Sequence, residues 1–298
     1  MTYSEISRLT TFRSVLSVTG ADHSDEDVKI AADLCAEVGA YLSVLIMSRL
    51  PLGGFIPEWP KQPAEAIAIL EKRYRQIEKF SHDMAVLEKT SRDVQKLLRP
   101  MWLCYDVDTA DYCDRASVSD VVRKRALCSD LTVVGPALLN DIDLGPFVIN
   151  GSLFDTGKPV LVVPKDAEPT LSPRRVLVGW DSRVEASRAV GEALDLLSRA
   201  EEVRVALVDP EVTCTGKDTE PGADVTAYLT RHGARVSVDR LRSGGRPAAT
   251  VLAQHAIDTS ANMIVMGAYG SRRLRERLFG GVTRWIEGKP PLPLFLAR

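Results

Sequence analysis

The sequence predicts an α/β protein built from two tandem domains, each a five-stranded parallel open sheet with helices on both faces. Three observations carry that prediction. The first is length: 298 residues, 45% of them hydrophobic, are enough for two domains that each bury a core. The second is an internal repeat. Gly157-Lys-Pro-Val-Leu-Val-Val-Pro164 resembles Gly288-Lys-Pro-Pro-Leu-Pro-Leu-Phe295, Asp130-Leu-Thr-Val-Val-Gly135 resembles Asn262-Met-Ile-Val-Met-Gly267, and Arg13-Ser-Val-Leu-Ser-Val18 resembles Arg174-Arg-Val-Leu-Val-Gly179. The order is kept, and the offsets of 131, 132 and 161 residues place an insertion in the first copy. The third is the alternation of short, β-branched apolar runs with longer amphipathic segments. That pattern belongs to a parallel sheet covered on both faces, and right-handed crossovers make it a Rossmann-like open sheet.

In the second copy the candidate strands are 176–180, 203–208, 235–241, 263–267 and 292–296, with helical patterns at 184–199, 223–232, 247–259 and 282–287. The first copy reads likewise, with strands at 12–18, 41–47, 101–107, 131–135 and 160–163. Its extra length falls in a helical pattern over 63–98. Ile67, Leu70, Tyr74, Ile77, Met84, Leu87, Val94 and Leu98 form one apolar stripe there, and the helix would run about 54 Å at ~1.5 Å per residue. The expectation is a helix lying on its own sheet; the alternative is a protruding helix that recruits a protein partner. The Pro-, Asp- and Glu-rich stretch 165–173 reads as the joint, giving domains at 1–166 and 174–298.

Composition excludes several classes. Net charge is -2 and gives no general nucleic-acid surface. The halves differ, however. Residues 167–298 hold 19 Lys+Arg and 16 Asp+Glu, leaving 19 and 24 for the first half, so the second half is the better host for an anion. No apolar run approaches the roughly 20 residues of a membrane helix, and Met1-Thr-Tyr-Ser-Glu lacks the start of an export signal, so a cytoplasmic protein is expected. Five cysteines without a C-x-x-C pair argue against a disulfide framework or a zinc site. The four histidines have no metal-binding or triad spacing, and no catalytic residue is assigned. Ser243-Gly-Gly245 follows the third strand of its copy and not the first, which makes it a strand-to-helix turn with Pro247 opening the helix.

The chemistry concentrates on Gly267-Ala-Tyr-Gly270, followed after nine residues by Gly280-Gly281. This pattern leaves a strand at the carboxyl edge of the sheet, where such folds bind ligands. Glycines there let backbone N–H groups reach phosphate oxygens, and a helix starting near Val282 would aim its dipole at the same anion. Arg272, Arg273, Arg275, Arg277 and Arg284 supply positive charge around it. Asp181, ending the first strand of the same copy, would accept hydrogen bonds from ribose hydroxyls or an adenine amino group; the plainer role is a helix N-cap.

On these residues the chain resembles a tandem member of the universal stress protein family. The resemblance implies two domains packed as a pseudo-dimer through their last strands, 160–163 beside 292–296, with Pro291 and Pro293 limiting the ladder. It also implies an adenine nucleotide (ATP, ADP or AMP, with or without Mg2+) held in the second domain of a stress-response regulator or sensor. The family's pattern of glycines falls on Gly267, Gly270, Gly280 and Gly281, its first-strand acid on Asp181, and its adenine neighbours on Met266 and Leu207. The backbone amide offered to phosphate falls on Val282. Gly281 departs from the usual Ser or Thr, a hydroxyl contact worth roughly 0.5–1.5 kcal/mol; Thr283 is the candidate substitute. The first copy lacks the second glycine, carries Pro136 after Gly135, and has Gly20 where the second has Asp181, so a pairing role is expected of it. The competing reading is a nucleotide-free stress module acting through dimerisation or a protein partner.

Overall fold

A computed structural model describes residues 11–49, 63–210, 220–268 and 292–298. In the first half, β1 (Ser14–Gly20), α1 (Glu26–Val38), β2 (Tyr41–Arg49), α2 (Pro63–Leu98), β3 (Tyr105–Tyr112), α3 (Arg115–Ala126) and β4 (Leu131–Val134) follow in turn. Two short helices, α4 (Pro136–Asn140) and α5 (Gly145–Ile149), a π-helical turn (Asn150–Phe154) and β5 (Val160–Val162) complete it. The second half runs β6 (Arg175–Gly179), α6 (Val184–Glu192), α7 (Leu194–Arg199), β7 (Glu202–Val208), α8 (Ala223–Arg231), β8 (Val236–Leu241), α9 (Ala248–Asp258), β9 (Met263–Gly267) and β10 (Leu294–Ala297).

Among the described residues ten strands form one sheet in the order β3-β2-β1-β4-β5-β10-β9-β6-β7-β8. Within each half the strands are parallel, and the two halves share one topology read outward from the centre. The halves meet where β5 and β10 pair antiparallel, with Leu294 opposite Val162, Phe295 opposite Leu161 and Leu296 opposite Val160. The ladder is short because Pro293 directly precedes β10 and donates no hydrogen bond, although its carbonyl accepts from the Ile264 amide. Apolar side chains line both faces of the sheet, and both cores continue across the seam. One face carries Val44, Leu161, Val178 and Phe295 beneath α1, α6, α7 and α8; the other carries Leu45, Val162, Leu177 and Leu296 beneath α3, α5 and α9. Cys35 lies in the first of these, where burial pushes its thiol up to about 12 and leaves it an apolar filler.

Three elements differ from the sequence reading. β3 starts at Tyr105, four residues later than expected, because the chain after α2 turns through Trp102 at φ 50° before it can extend. The helix expected over 184–199 is divided at Ala193, whose φ of -91° and ψ of 3° tighten the turn between α6 and α7. Helix α2 has the expected span, but its stripe is only partly used. Leu87, Val94 and Leu98 are buried near its C-terminal end, whereas Tyr74 is 65% exposed. The expected helix at 282–287 lies outside the described residues.

The seam generates a stability prediction. Phe295 is fully buried, pairs with Leu161 and packs its ring 6.0 Å from that of Phe12. Phe295→Ala is expected to cost about 3–5 kcal/mol in urea denaturation, as deletion of a buried aromatic ring does. A loss under about 1 kcal/mol would show that the seam repacks without it.

Candidate functional site

In the second half, β6 is the strand from which the chain first winds one way, to β7 and β8, and then returns on the other side through β9. The carboxyl ends of β6 and β9 therefore flank the crevice where open parallel sheets take ligands. The pairing of Gly179 with Met266 fixes the two strand ends side by side. Asp181 lies two residues beyond β6, and Gly267 is the last residue of β9. The structure thus brings together the acid and the first glycine of the sequence pattern at one switch point.

Local geometry explains both residues. Asp181 does not cap α6: the N-cap position is Arg183, and no side chain caps it. Instead, Asp181 Oδ1 accepts from the Arg183 backbone N–H at 3.1 Å, closing a turn in which Ser182 adopts φ 60°. Gly267 has no room for a side chain, since a Cβ would stand 2.5 Å from the Ala186 nitrogen and the Glu185 carbonyl carbon. The first turn of α6 therefore packs directly on the β9 backbone, a use of glycine found where helix, strand and phosphate loop converge.

Leu207 and Met266 belong to opposite faces of the sheet. Leu207 is buried with Val205 and Val265 under α8, and the Met266 side chain packs with Ala206 and Ile264 on the other face. Alternation along β7 gives Val208, one residue on, to the face of Met266. Gly270, Gly280, Gly281, Val282, Thr283 and the arginines between 272 and 284 lie outside the described residues.

Asp209, just past β7, was not legible as structural from the sequence. Its carboxylate accepts from the Ser243 backbone N–H at 3.0 Å, and that bond together with the Ser243 hydroxyl holds its carboxyl below the usual carboxylate range. It ties the loops after β7 and β8 together at the same sheet edge.

The equivalent crevice of the first half is filled by its own side chains. Asp27, in the first turn of α1, is almost wholly buried, and its two oxygens accept from the Ala137 N–H at 2.9 Å and the Leu138 N–H at 2.8 Å. Those amides follow Gly135 as residues 269 and 270 follow Gly267 in the repeat. Nearby, His23 Nδ1 accepts from the Gly20 N–H at 3.1 Å while its Nε2 lies 3.0 Å from Asp141 Oδ2. Asp141 in turn accepts from the amides of Asp143 and Leu144. Burial pushes the Asp27 carboxyl above its usual range, against the two amide bonds. Among the described residues no group of three His, Cys, Asp or Glu side chains is arranged to hold a metal ion. No helix among them is long and apolar enough to cross a membrane.

A glycine and an acid stand at the switch point of a doubled open α/β sheet, and comparison with known proteins narrows the class to which this fold belongs. Residues 173–298 match the model of the universal stress protein family, and this half of the chain is a domain of that family. The whole chain has the tandem fold of its solved relatives. A universal stress protein from Archaeoglobus fulgidus superposes with a TM-score of 0.63 at 18% identity, covering 95% of this chain and 96% of the other. A Pseudomonas aeruginosa protein assigned to the same group superposes with a TM-score of 0.53 at 14% identity, covering 98% of this chain and 94% of the other. No curated protein matches the sequence.

The two crevices yield two predictions. Gly267→Ala is expected to lower stability by about 1–3 kcal/mol, since α6 must move off β9 to admit the methyl group; an unchanged urea midpoint would place α6 farther from that strand. Asp27→Ala leaves two amides without their acceptor and is expected to cost about 1–3 kcal/mol at neutral pH. Because the folded-state carboxyl titrates above the unfolded one, the folded parent takes up a proton first as pH falls. The stability gap between parent and Asp27→Ala should therefore widen from neutral towards mildly acid pH. A gap that narrows would mean that the carboxylate is the better-tolerated form.

Proposed function

We propose that the chain is a cytoplasmic regulatory protein of the stress response that binds one adenine nucleotide in its second half. The observation that carries this reading is the juxtaposition of Asp181 and Gly267 at the β6/β9 switch point. It occurs in a domain whose sequence continues as G-x2-G-x9-G-G and which matches the universal stress protein family. In this reading the Asp181 carboxylate accepts from the ribose hydroxyls or the adenine amino group. Met266 borders the adenine, with Leu207 or its neighbour Val208 as the contact from β7. Backbone N–H groups of the segments Gly267–Gly270 and Gly280–Val282 receive the phosphates, and glycine at these positions keeps side chains out of the way.

Gly281 lacks the hydroxyl of a Ser or Thr, so Thr283 takes that contact if ATP is the ligand. Without it, a nucleotide with fewer phosphates loses less, and ADP or AMP is favoured. The first half serves the second by pairing with it. Its own crevice is closed by Asp27, His23 and Asp141, which hold the backbone amides and side-chain positions a ligand would need.

Calorimetric titration of the full chain with ATP, ADP and AMP tests the assignment. Gly270→Asp places a carboxylate among the phosphate-binding amides and should abolish binding with the fold intact. Asp181→Ala should weaken all three nucleotides by about tenfold, or ~1.4 kcal/mol, while leaving inorganic triphosphate less affected. Unaltered affinity in Gly270→Asp would overturn the site. Equal losses for nucleotide and triphosphate in Asp181→Ala would remove the acid from the nucleoside side.

A further inference from the structure

A cavity of about 710 Å3 opens on the first half between α3 and the π-helical turn, within the size range of small-molecule sites. It shares no residue with the β6/β9 crevice. Its floor is polar yet buried. Ser119 Oγ donates to the Phe147 carbonyl at 3.0 Å and lies 3.3 Å from Asn150 Nδ2, which also donates to Asp155 Oδ2 at 2.9 Å. This chain of bonds fixes the floor, and α3 approaches so closely that a Cβ on Gly151 would meet the Ser119 carbonyl oxygen at 2.5 Å. The π-helical turn itself is a rare backbone form that concentrates at functional sites.

The walls set the chemistry. Arg115, Ser119 and Arg123 recur every four residues along one face of α3, so the two arginines, their backbones about 12 Å apart along the helix, flank Ser119 in the lining. Arg115 lies 5.6 Å over the Phe147 ring and gives a hydrogen bond to Asp143 Oδ1 at 2.9 Å, which holds its plane and leaves other N–H groups of the fork for a ligand. Asp120 is taken up by Arg123 at 2.7 Å and Lys124 at 2.9 Å, so the acid on this helix face is already neutralised. What the cavity offers an incoming molecule is guanidinium donors on α3, an aromatic wall and a rigid polar floor in which the Asn150 amide engages the Asp155 carboxylate.

We propose that this cavity is a second ligand site, for a small organic anion with a flat apolar part, such as an aryl phosphate or aryl carboxylate. The anionic group pairs with a guanidinium of α3, and the flat part lies along Phe147 beside Arg115. The site rests on side chains of the first half alone, so it stands or falls independently of the nucleotide reading.

The test is a titration of the full chain with phenyl phosphate, followed by backbone amide NMR. The expected result is a saturable shift confined to residues 115–123 and 147–155, at least tenfold weaker in Arg115→Gln. Ala116→Trp, on the exposed part of the lining, should abolish it by filling the cavity. The shifts should persist in Gly270→Asp. Absence of saturation, persistence in Ala116→Trp, loss in Gly270→Asp, or an equal response to inorganic phosphate would each overturn the proposal.

Discussion

The antiparallel pairing of β5 with β10 is the contact on which the rest of the molecule depends. Three residue pairs join two parallel five-stranded sheets into one of ten, and they remove the exposed edge that each half would otherwise present. Both apolar layers run through this seam, so each half completes the core of the other. Strands of the two halves run in opposite directions, which places their carboxyl ends on opposite edges of the common sheet. The two crevices therefore face away from each other and act as separate units.

That separation lets one duplicated topology carry two different contents. In the second half, glycine at the end of β9 brings α6 against the backbone, and Asp181 closes a local turn and pairs with the Arg183 side chain at 3.6 Å, its carboxylate partly open to solvent. In the first half, the corresponding turn of α1 sends the Asp27 carboxylate onto the amides after β4, and His23 and Asp141 close the remaining edge. A buried carboxylate held by two backbone N–H groups does for the fold what a bound anion does for a receptor: it satisfies donors that would otherwise be left without partners. In the proposed reading the first half serves stability and pairing, and nucleotide recognition falls to the second.

Much of this was legible in the sequence. The ordered repeat gave the doubled architecture, and period-2 and apolar runs located the strands, β9 and β2 among the clearest, because buried parallel strands must be apolar throughout. The span of α2 was legible from its stripe, but its docking was not: helical periodicity shows which side is apolar, not how much of the helix has a sheet beneath it, and Tyr74 is exposed. β3 was misplaced because the positive φ of Trp102 is a tertiary choice without a glycine to announce it. At the site, Asp181 and Gly267 were visible from motif spacing. The roles of Asp27 and Asp209 were not, since each bonds to amides far along the chain, and a lone acid in a helix turn or loop carries no local signal. The opposite facing of Leu207 and Met266 required the register between strands, which one residue of error inverts.

The proposed function fixes number as well as place: one nucleotide per chain, in the second half only. The most direct measurement is to denature the purified full chain, identify the released small molecules by mass spectrometry and count them against protein. The account predicts one adenine nucleotide per chain in the parent and none in Gly270→Asp. Two nucleotides per chain would contradict the closed first crevice. An empty extract, together with no thermal stabilisation by a large excess of ATP, ADP or AMP, would contradict nucleotide binding itself.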